Sequence, residues 1–514
     1  MERYFLGIDI GTFESRGILI DESFRVAADA SVPHGMDNPQ PGWFEQDAEA
    51  VWWGDLCKLC RTLIKQSEIR PEQIACVGTS ALGTDCLPVD EQCRPLRPAI
   101  LYGIDARASE EAAWLTEHYG QARVQELFGH PICSGDTATK ILWLRRHEPE
   151  IYAKTAYFLT GSSFLTARLT GKYVIDQSLA KGSFRPLYQA DGSVNEAECG
   201  LYCRPDQIAA CAWSTDIVGT VTPEAAAQTG LAAGTPVITG TGDSTAEAIS
   251  VGLVEPGTAF FQYGSSMFYY YCTDRFVGSY VSPQGNGALK GGKAFTVPGT
   301  YCLGDGTNAA GTLTRWVRDL LYSKELDAEK QGGENAYAVM AREAAAVPPG
   351  SDGLIMLPYI YGERSPLQDA EATGMLFGLK GTHGRAQINR AALEAVGYST
   401  YQHLLLFEEL GVPPRRIITA GGGTKNAAWM QIICDMAGMP LTIPEPFQCS
   451  SYGDAMLAAL GVSALESFAA LRAALPQGRI LQPDRKNHEF YQEHYPIFRD
   501  LYLENRDRMH RMQK

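Results

Sequence analysis

Two aspartates stand beside glycines at strand-like ends. Asp9 lies inside the apolar run that opens GIDIGTFESRGILID (7–21), two residues before Gly11-Thr12, and Asp243 follows Gly242 at the close of PVITGTGD (236–243). A carboxylate inside an apolar strand is costly unless a partner or a cation compensates it. The plain reading of Asp9 is a hairpin residue that caps its own turn. That of Asp243 is an N-cap for the helix-like STAEAISVGL. A chemical reading competes with both. A tight Gly-Thr turn points backbone N–H groups outward with no side chain in the way, which makes a cradle for a phosphate. Gly264-Ser265, between TAFFQYG and MFYYYC, would be a second such turn, and Ser15 and Arg16 follow the first. A third glycine-rich stretch, IITAGGGTKNAAWMQIICDMAG (417–438), reads as strand, loop and helix, the geometry that sets a nucleotide against a helix N-terminus. It is neither GxxxxGK[ST] nor GxGxxG, and a purely structural loop accounts for it equally well. If the turns grip a polyphosphate, the aspartates acquire a task. Mg²⁺ is held by one or two carboxylates plus phosphates, and phosphoryl transfer needs that metal, donors for the phosphate oxygens and one residue to orient the attacking hydroxyl.

These residues need a scaffold. The pattern predicts strands over 4–12, 15–21 and 25–33, a helix from about Asp47, and a strand over 73–80. A β-meander followed by alternating helix and strand indicates an α/β layer architecture. The segment 236–272 repeats the opening order of strand, Gly-Ser turn and strand, so the chain is expected to hold two similar domains facing each other, with a boundary between about 245 and 258. The tail after about 465 reads as terminal helices.

Composition narrows the setting. The 514 residues carry a net charge of −15 and 45% hydrophobic residues, which argues against a nucleic-acid or anionic-membrane surface. The N-terminal apolar run is too short for a signal peptide, and no stretch nears the roughly 20 apolar residues of a membrane helix. The 13 scattered cysteines suggest free thiols in a reducing cytoplasm. Cys57-x-x-Cys60 falls in a run with helical spacing of Trp52, Leu56, Leu59 and Leu63, which reads as core packing.

Taken together, these segments resemble the FGGY carbohydrate kinases of the actin/sugar-kinase/Hsp70 superfamily over almost the whole chain. SGDTATKILWLRRHEPE (134–150), with Lys140 and Trp143, is similar to the family's first signature. GMLFGLKGTHGRAQINRAALEA (374–395), with Gly374, Gly378 and Glu394, is similar to the second, and PQPGWFEQD (39–47) resembles its substrate-side loop. The resemblance implies two actin-like (ribonuclease H-like) domains with a central cleft: residues 1–248 for the sugar, and 249–514 for ATP, ending in a helical tail. It implies Asp243 as catalytic base, Asp9 beside the metal and the reacting hydroxyl, and Asp9 with Asp243 as the carboxylates near Mg²⁺. It places Thr12, Ser15 and Arg16 on the first phosphate loop, Gly264 and Ser265 on the second, Gly311 and Arg315 near the nucleotide, and Gly422, Gly423 and Asn426 on the adenine side. Phe13-Glu14 departs from the small residues many members carry, and an acid beside a phosphate loop is unexpected. A homodimer is the usual assembly of such proteins, though no residue pattern here specifies one.

The sugar is less legible. Leu82-Gly83-Thr84-Asp85 replaces the Gln-Met-His-Gly of xylulokinases, and its Gly-x-Asp resembles kinases of 6-deoxy-ketohexoses such as rhamnulose and fuculose. Asp105-x-Arg107 and the GGG-T-K-N loop resemble xylulokinases. Candidate sugar-facing residues are Thr84, Asp85, Asp105, Arg107, Trp43 and Asp243. Trp43 as core packing, and Asp105 with Arg107 as a salt bridge in the wall, are the plainer readings. The expectation is ATP-dependent phosphorylation of a ketopentose such as xylulose, with a 6-deoxy-ketohexose or polyol as the alternative acceptor and a non-catalytic sugar or nucleotide sensor as a remote one.

Overall fold

The computed structural model describes residues 2–445 and 449–513. It divides into two compact units. The first comprises residues 2–254, 293–301 and 449–475; the second comprises 255–292, 302–445 and 476–513.

In the first unit, strands Tyr4–Ile10, Glu14–Asp21 and Val26–Pro33 form the predicted antiparallel meander, and Ile74–Ala81 joins Tyr4–Ile10 in parallel. Pro236–Ile238 and Ile217–Thr220 extend the sheet on the far side. The residues that alternate toward the helices are Phe, Leu, Ile and Val, so the sheet buries its apolar faces as the sequence pattern requires. Asp47 caps the helical segment that follows it, accepting from the N–H groups of Glu49 and Ala50. Cys57 and Cys60 lie buried on the helix Gly54–Ser67, and all 13 cysteines are free thiols.

The second unit repeats the arrangement. Thr258–Tyr263 and Met267–Thr273 pair antiparallel, Arg416–Ala420 lies parallel to the first of them, and Leu441–Ile443 continues the sheet. Each half thus sets an antiparallel hairpin with a Gly-Thr or Gly-Ser turn beside a parallel strand.

The units divide the chain differently from a single break near 248. The helix Ser450–Gly461 belongs to the first unit, where it lies on Tyr4–Ile10, Ile74–Ala81 and the helix Asp243–Ser250. The cause is steric. A Cβ on Gly7 would stand 1.8 Å from the Ser451 carbonyl oxygen and 2.6 Å from the Ala455 nitrogen, so only a bare Cα lets the helix come down on the strand. Gly7→Ala therefore forces backbone apart and is expected to cost at least ~3 kcal/mol, the upper end of ordinary overpacking. That corresponds to a fall of roughly 6–12 °C in Tm, which a thermal melt checks.

The predicted strand 236–243 is interrupted. It ends at Ile238, Gly240 takes a φ of 77°, and Thr241–Gly242 re-pairs with Ile74–Ala81 before a helix begins at Asp243. Asp243 is thus the first residue of a helix rather than the last of a strand, and Gly242 is the N-cap.

Candidate active site

Three acidic residues of the first unit act on one another. Asp9, half-buried in Tyr4–Ile10, gives Oδ1 to the Ser80 hydroxyl at 2.8 Å. Loss of water, and next the nearby charge of Asp243, push its carboxyl up to about 8. Asp243 accepts from the Ser244 N–H at 2.6 Å, and burial raises its carboxyl as well. Asp85 is fully buried, and among the described residues neither of its oxygens has a partner at hydrogen-bond geometry, although the Tyr102 backbone favours its charged form. Burial raises it well above the usual carboxylate range, against the pull of Lys140. Lys140 is equally buried and donates to the carbonyls of Thr84 at 2.6 Å and Gly135 at 3.0 Å. Buried polar groups are normally satisfied; a carboxyl with two bare oxygens is a binding element awaiting donors.

Asp105 and Arg107 form a closed ion pair. Arg107 Nη2 and Nε reach Asp105 Oδ2 and Oδ1 at 2.8 and 2.9 Å, Arg107 Nη1 reaches Glu45 at 2.7 Å, and Asp105 also accepts from the Phe44 N–H at 2.7 Å. The Arg107 guanidinium stacks over Trp43 at 4.3 Å, and Trp43 meets Trp143 edge-on at 5.2 Å. These contacts build a rigid wall and match the plainer reading of all three residues.

The first glycine turn is braced from behind. The Gly11 N–H donates to the Glu14 carbonyl at 3.1 Å. Thr12 Oγ1 lies 3.2 Å from the Tyr102 hydroxyl, and its carbonyl accepts from Gln46. Ser15 is fully buried and donates to Asp55 at 2.9 Å, so its hydroxyl serves as a brace. Glu14 pairs with Arg16 at 2.7 Å, which gives the unexpected acid a partner. His34 ties the turn down. Nε2 lies 2.9 Å from the Gly11 carbonyl and Nδ1 lies 2.9 Å from Asp55, and both partners are acceptors. Only an imidazolium donates to both. Burial alone would lower its pKa, but the bonds to Asp55 and the Gly11 carbonyl outweigh burial and raise it. A raised folded-state pKa means that this stabilisation is complete below the unfolded value of about 6.5 and is lost as pH rises through the folded one. Wild type is therefore expected to lose Tm on going from pH 6 to pH 9 by more than His34→Gln does; equal slopes in paired melts would refute the bracing.

In the second unit, Gly264-Ser265 docks on the start of the helix Gly311–Leu321. The Ser265 carbonyl accepts from Ala310 and Thr312, and the Gly264 carbonyl from Gly311 at 2.9 Å. A Cβ on Gly311 would stand 2.5 Å from that carbonyl. Arg315 lies exposed on the same helix. In the third loop Gly423 packs on Tyr263 and Trp429, a Cβ on Gly422 would meet nothing within 4 Å, and Asn426 caps Ala427–Ala437 through the Trp429 N–H at 3.1 Å. An open face beside a helix N-terminus suits the approach of a ligand.

Sequence reasoning missed Ser80, Tyr102, His34 and Asp454. The first three act through contacts between distant segments and carry no local signal. Asp454 does carry one, a carboxylate inside the apolar run DAMLAAL, the same oddity that singles out Asp9.

Duplicated sheets of this topology, each with a glycine turn between antiparallel strands, define a two-domain actin-like α/β protein. The chain belongs to the FGGY family of carbohydrate kinases: the family's N-terminal domain matches residues 4–250 and its C-terminal domain residues 263–462. It is 30% identical to the xylulose kinase of Escherichia coli K12 over 97% of this chain and 98% of that one. It is 28% identical to the gluconokinase of Bacillus subtilis over 98% and 96%. The crystal structure of the xylulose kinase from Rhodospirillum rubrum superposes with a TM-score of 0.88 at 28% identity, covering 99% of this chain and all of that one. The protein is a sugar kinase. Among the described residues no helix is long and apolar enough to cross a membrane.

Proposed function

We propose that this kinase transfers the γ-phosphoryl group of ATP to a hydroxyl of a small neutral sugar, a ketopentose such as xylulose. Asp243 takes the hydroxyl proton. The sugar is held by the first unit, and the nucleotide by the Gly264-Ser265 turn, Gly311 and the Gly422–Asn426 loop of the second. Thr12, Arg16 and the amides of the Gly11-Thr12 turn serve the transferring phosphoryl group in this reading.

The observation that carries the reading is Asp85, fully buried with both oxygens unpartnered and within electrostatic reach of Asp243. Sugar hydroxyls supply the donors it lacks. The same burial and mutual repulsion that raise Asp9, Asp85 and Asp243 would disfavour the carboxylate of a sugar acid, so a gluconate-type substrate fits poorly. Asp105, Arg107 and Trp43 shape the wall, and Thr84 orients Lys140 through its carbonyl.

Mg²⁺ suits the donor set. Asp9 and Asp243 are close enough for one to raise the other, a repulsion that a divalent cation relieves. Among the described residues no group of three or more His, Cys, Asp or Glu forms a cage, which fits an ion that arrives with the nucleotide. When bound, the ion neutralises charge that builds on the phosphates.

One observation favours a second acceptor class. Gly83-x-Asp85, with Asp85 buried where xylulokinases have other residues, resembles the kinases of rhamnulose and fuculose. The test is ADP release from Mg-ATP across D- and L-xylulose, D- and L-ribulose, L-rhamnulose, L-fuculose, fructose, gluconate, xylitol, erythritol and glycerol. Turnover confined to a neutral ketose or polyol supports the reading; turnover led by gluconate overturns it.

A further inference from the structure

A single hydroxyl proton stands between two carboxyl groups of the first unit. Ser80 Oγ lies 2.8 Å from Asp9 Oδ1 and 2.6 Å from Asp454 Oδ2, both hydrogen-bond distances. A serine hydroxyl has one proton to donate. Two ionised acceptors cannot both be satisfied by it, so one of the two contacts must be donated by a carboxyl group.

The surroundings say which. Asp454 is fully buried on the inner face of the helix Ser450–Gly461, and its Oδ1 has no partner. Its turn is pressed onto Ile74–Ala81, where a Cβ on Gly78 would stand 2.3 Å from the Asp454 carbonyl oxygen. No cation forms an ion pair with it among the described residues. An ionised carboxylate with a bare oxygen there would meet a far larger desolvation penalty than a neutral acid. Asp9 is only half-buried and lies opposite Ser80 in the strand register. Burial also holds the Asp454 carboxyl well above its ordinary range.

We infer that Asp454 is a neutral carboxylic acid that donates to Ser80, which in turn donates to Asp9, so that a directional hydrogen-bond chain from the helix fixes the orientation of Asp9. Asp454 is thus a positioning residue for the phosphoryl transfer. The inference rests on the reading above that Asp9 serves the reaction.

Three variants and one spectrum test it. Asp454→Asn keeps shape and a donor toward Ser80, so kcat should stay within about twofold of wild type. Asp454→Ala and Ser80→Ala break the chain and should lower kcat by about 10–100-fold, the usual range for a residue that orients a metal-proximal ligand. In the ligand-free protein at neutral pH, the infrared difference spectrum of Asp454→Asn against wild type should show the loss of one protonated-carboxyl band, and Asp9→Asn should leave that same band in place. If Asp454→Asn is as impaired as Asp454→Ala, Asp454 must be charged and the inference fails. It fails too if Asp454→Asn loses no such band. Full activity of Asp9→Asn would instead sink the site reading itself, whatever the spectrum shows.

Discussion

Asp243→Asn should lower kcat by roughly 10²–10⁴-fold, the range that a positioned general base contributes, while the KM values for sugar and ATP stay within a few-fold of wild type. Asparagine keeps the size of the side chain at the first helical position but removes the oxygen that can take a proton. The Ser244 N–H still finds an amide oxygen at the place where it now donates at 2.6 Å, so the helix start survives. A loss in kcat without a loss in KM is the signature of an interaction made in the transition state. Burial raises the Asp243 carboxyl, so in wild type kcat/KM should rise with pH through that raised pKa, as the acid form, unable to accept a proton, gives way to the base. Steady-state ADP release decides both points, and near-full activity in the asparagine variant would remove Asp243 from the base's role.

Asp85→Ala should abolish productive sugar binding. Hydrogen bonds to charged or strongly polar groups are worth about 1.5–3 kcal/mol each. Losing two of them predicts a fall in kcat/KM for the sugar of about 10²-fold or more, with the KM for ATP unchanged. The fold should persist, because among the described residues Asp85 makes no hydrogen bond of good geometry and Lys140 stays anchored on the Thr84 and Gly135 carbonyls. Isothermal titration of the preferred sugar, with circular dichroism as the control for folding, separates the outcomes. Unchanged sugar affinity would make Asp85 a buried structural acid and would return the choice of substrate to other residues.

Much of this molecule is written in short-range pattern. Near-continuous apolar runs over 4–10, 14–21, 258–263 and 267–273, bounded by turn residues, specify strands buried on both faces, and the repeat of strand, glycine turn and strand announces two like halves. Asp9 and the three glycine loops are legible for the same reason, since each is an anomaly within its own ten residues. The sequence by itself therefore determined the fold class, the family and the chemistry of phosphoryl transfer. What a residue touches across the fold was not available to it. Whether Asp105 and Arg107 offer themselves to a sugar or to each other depended on the Glu45 and Phe44 that a distant strand brings against them. Ser15 proved to be a brace because Asp55 lies beneath it, and Glu14 found Arg16. The return of Ser450–Gly461 to the first unit, which sets Asp454 behind Ser80 and Asp9, hinged on bare Cα atoms at Gly7 and Gly78 meeting a helix more than 370 residues away. Only the tertiary structure could decide these matters, because burial and hydrogen-bond partnership are properties of positions in space, and neighbouring residues in the chain do not encode them.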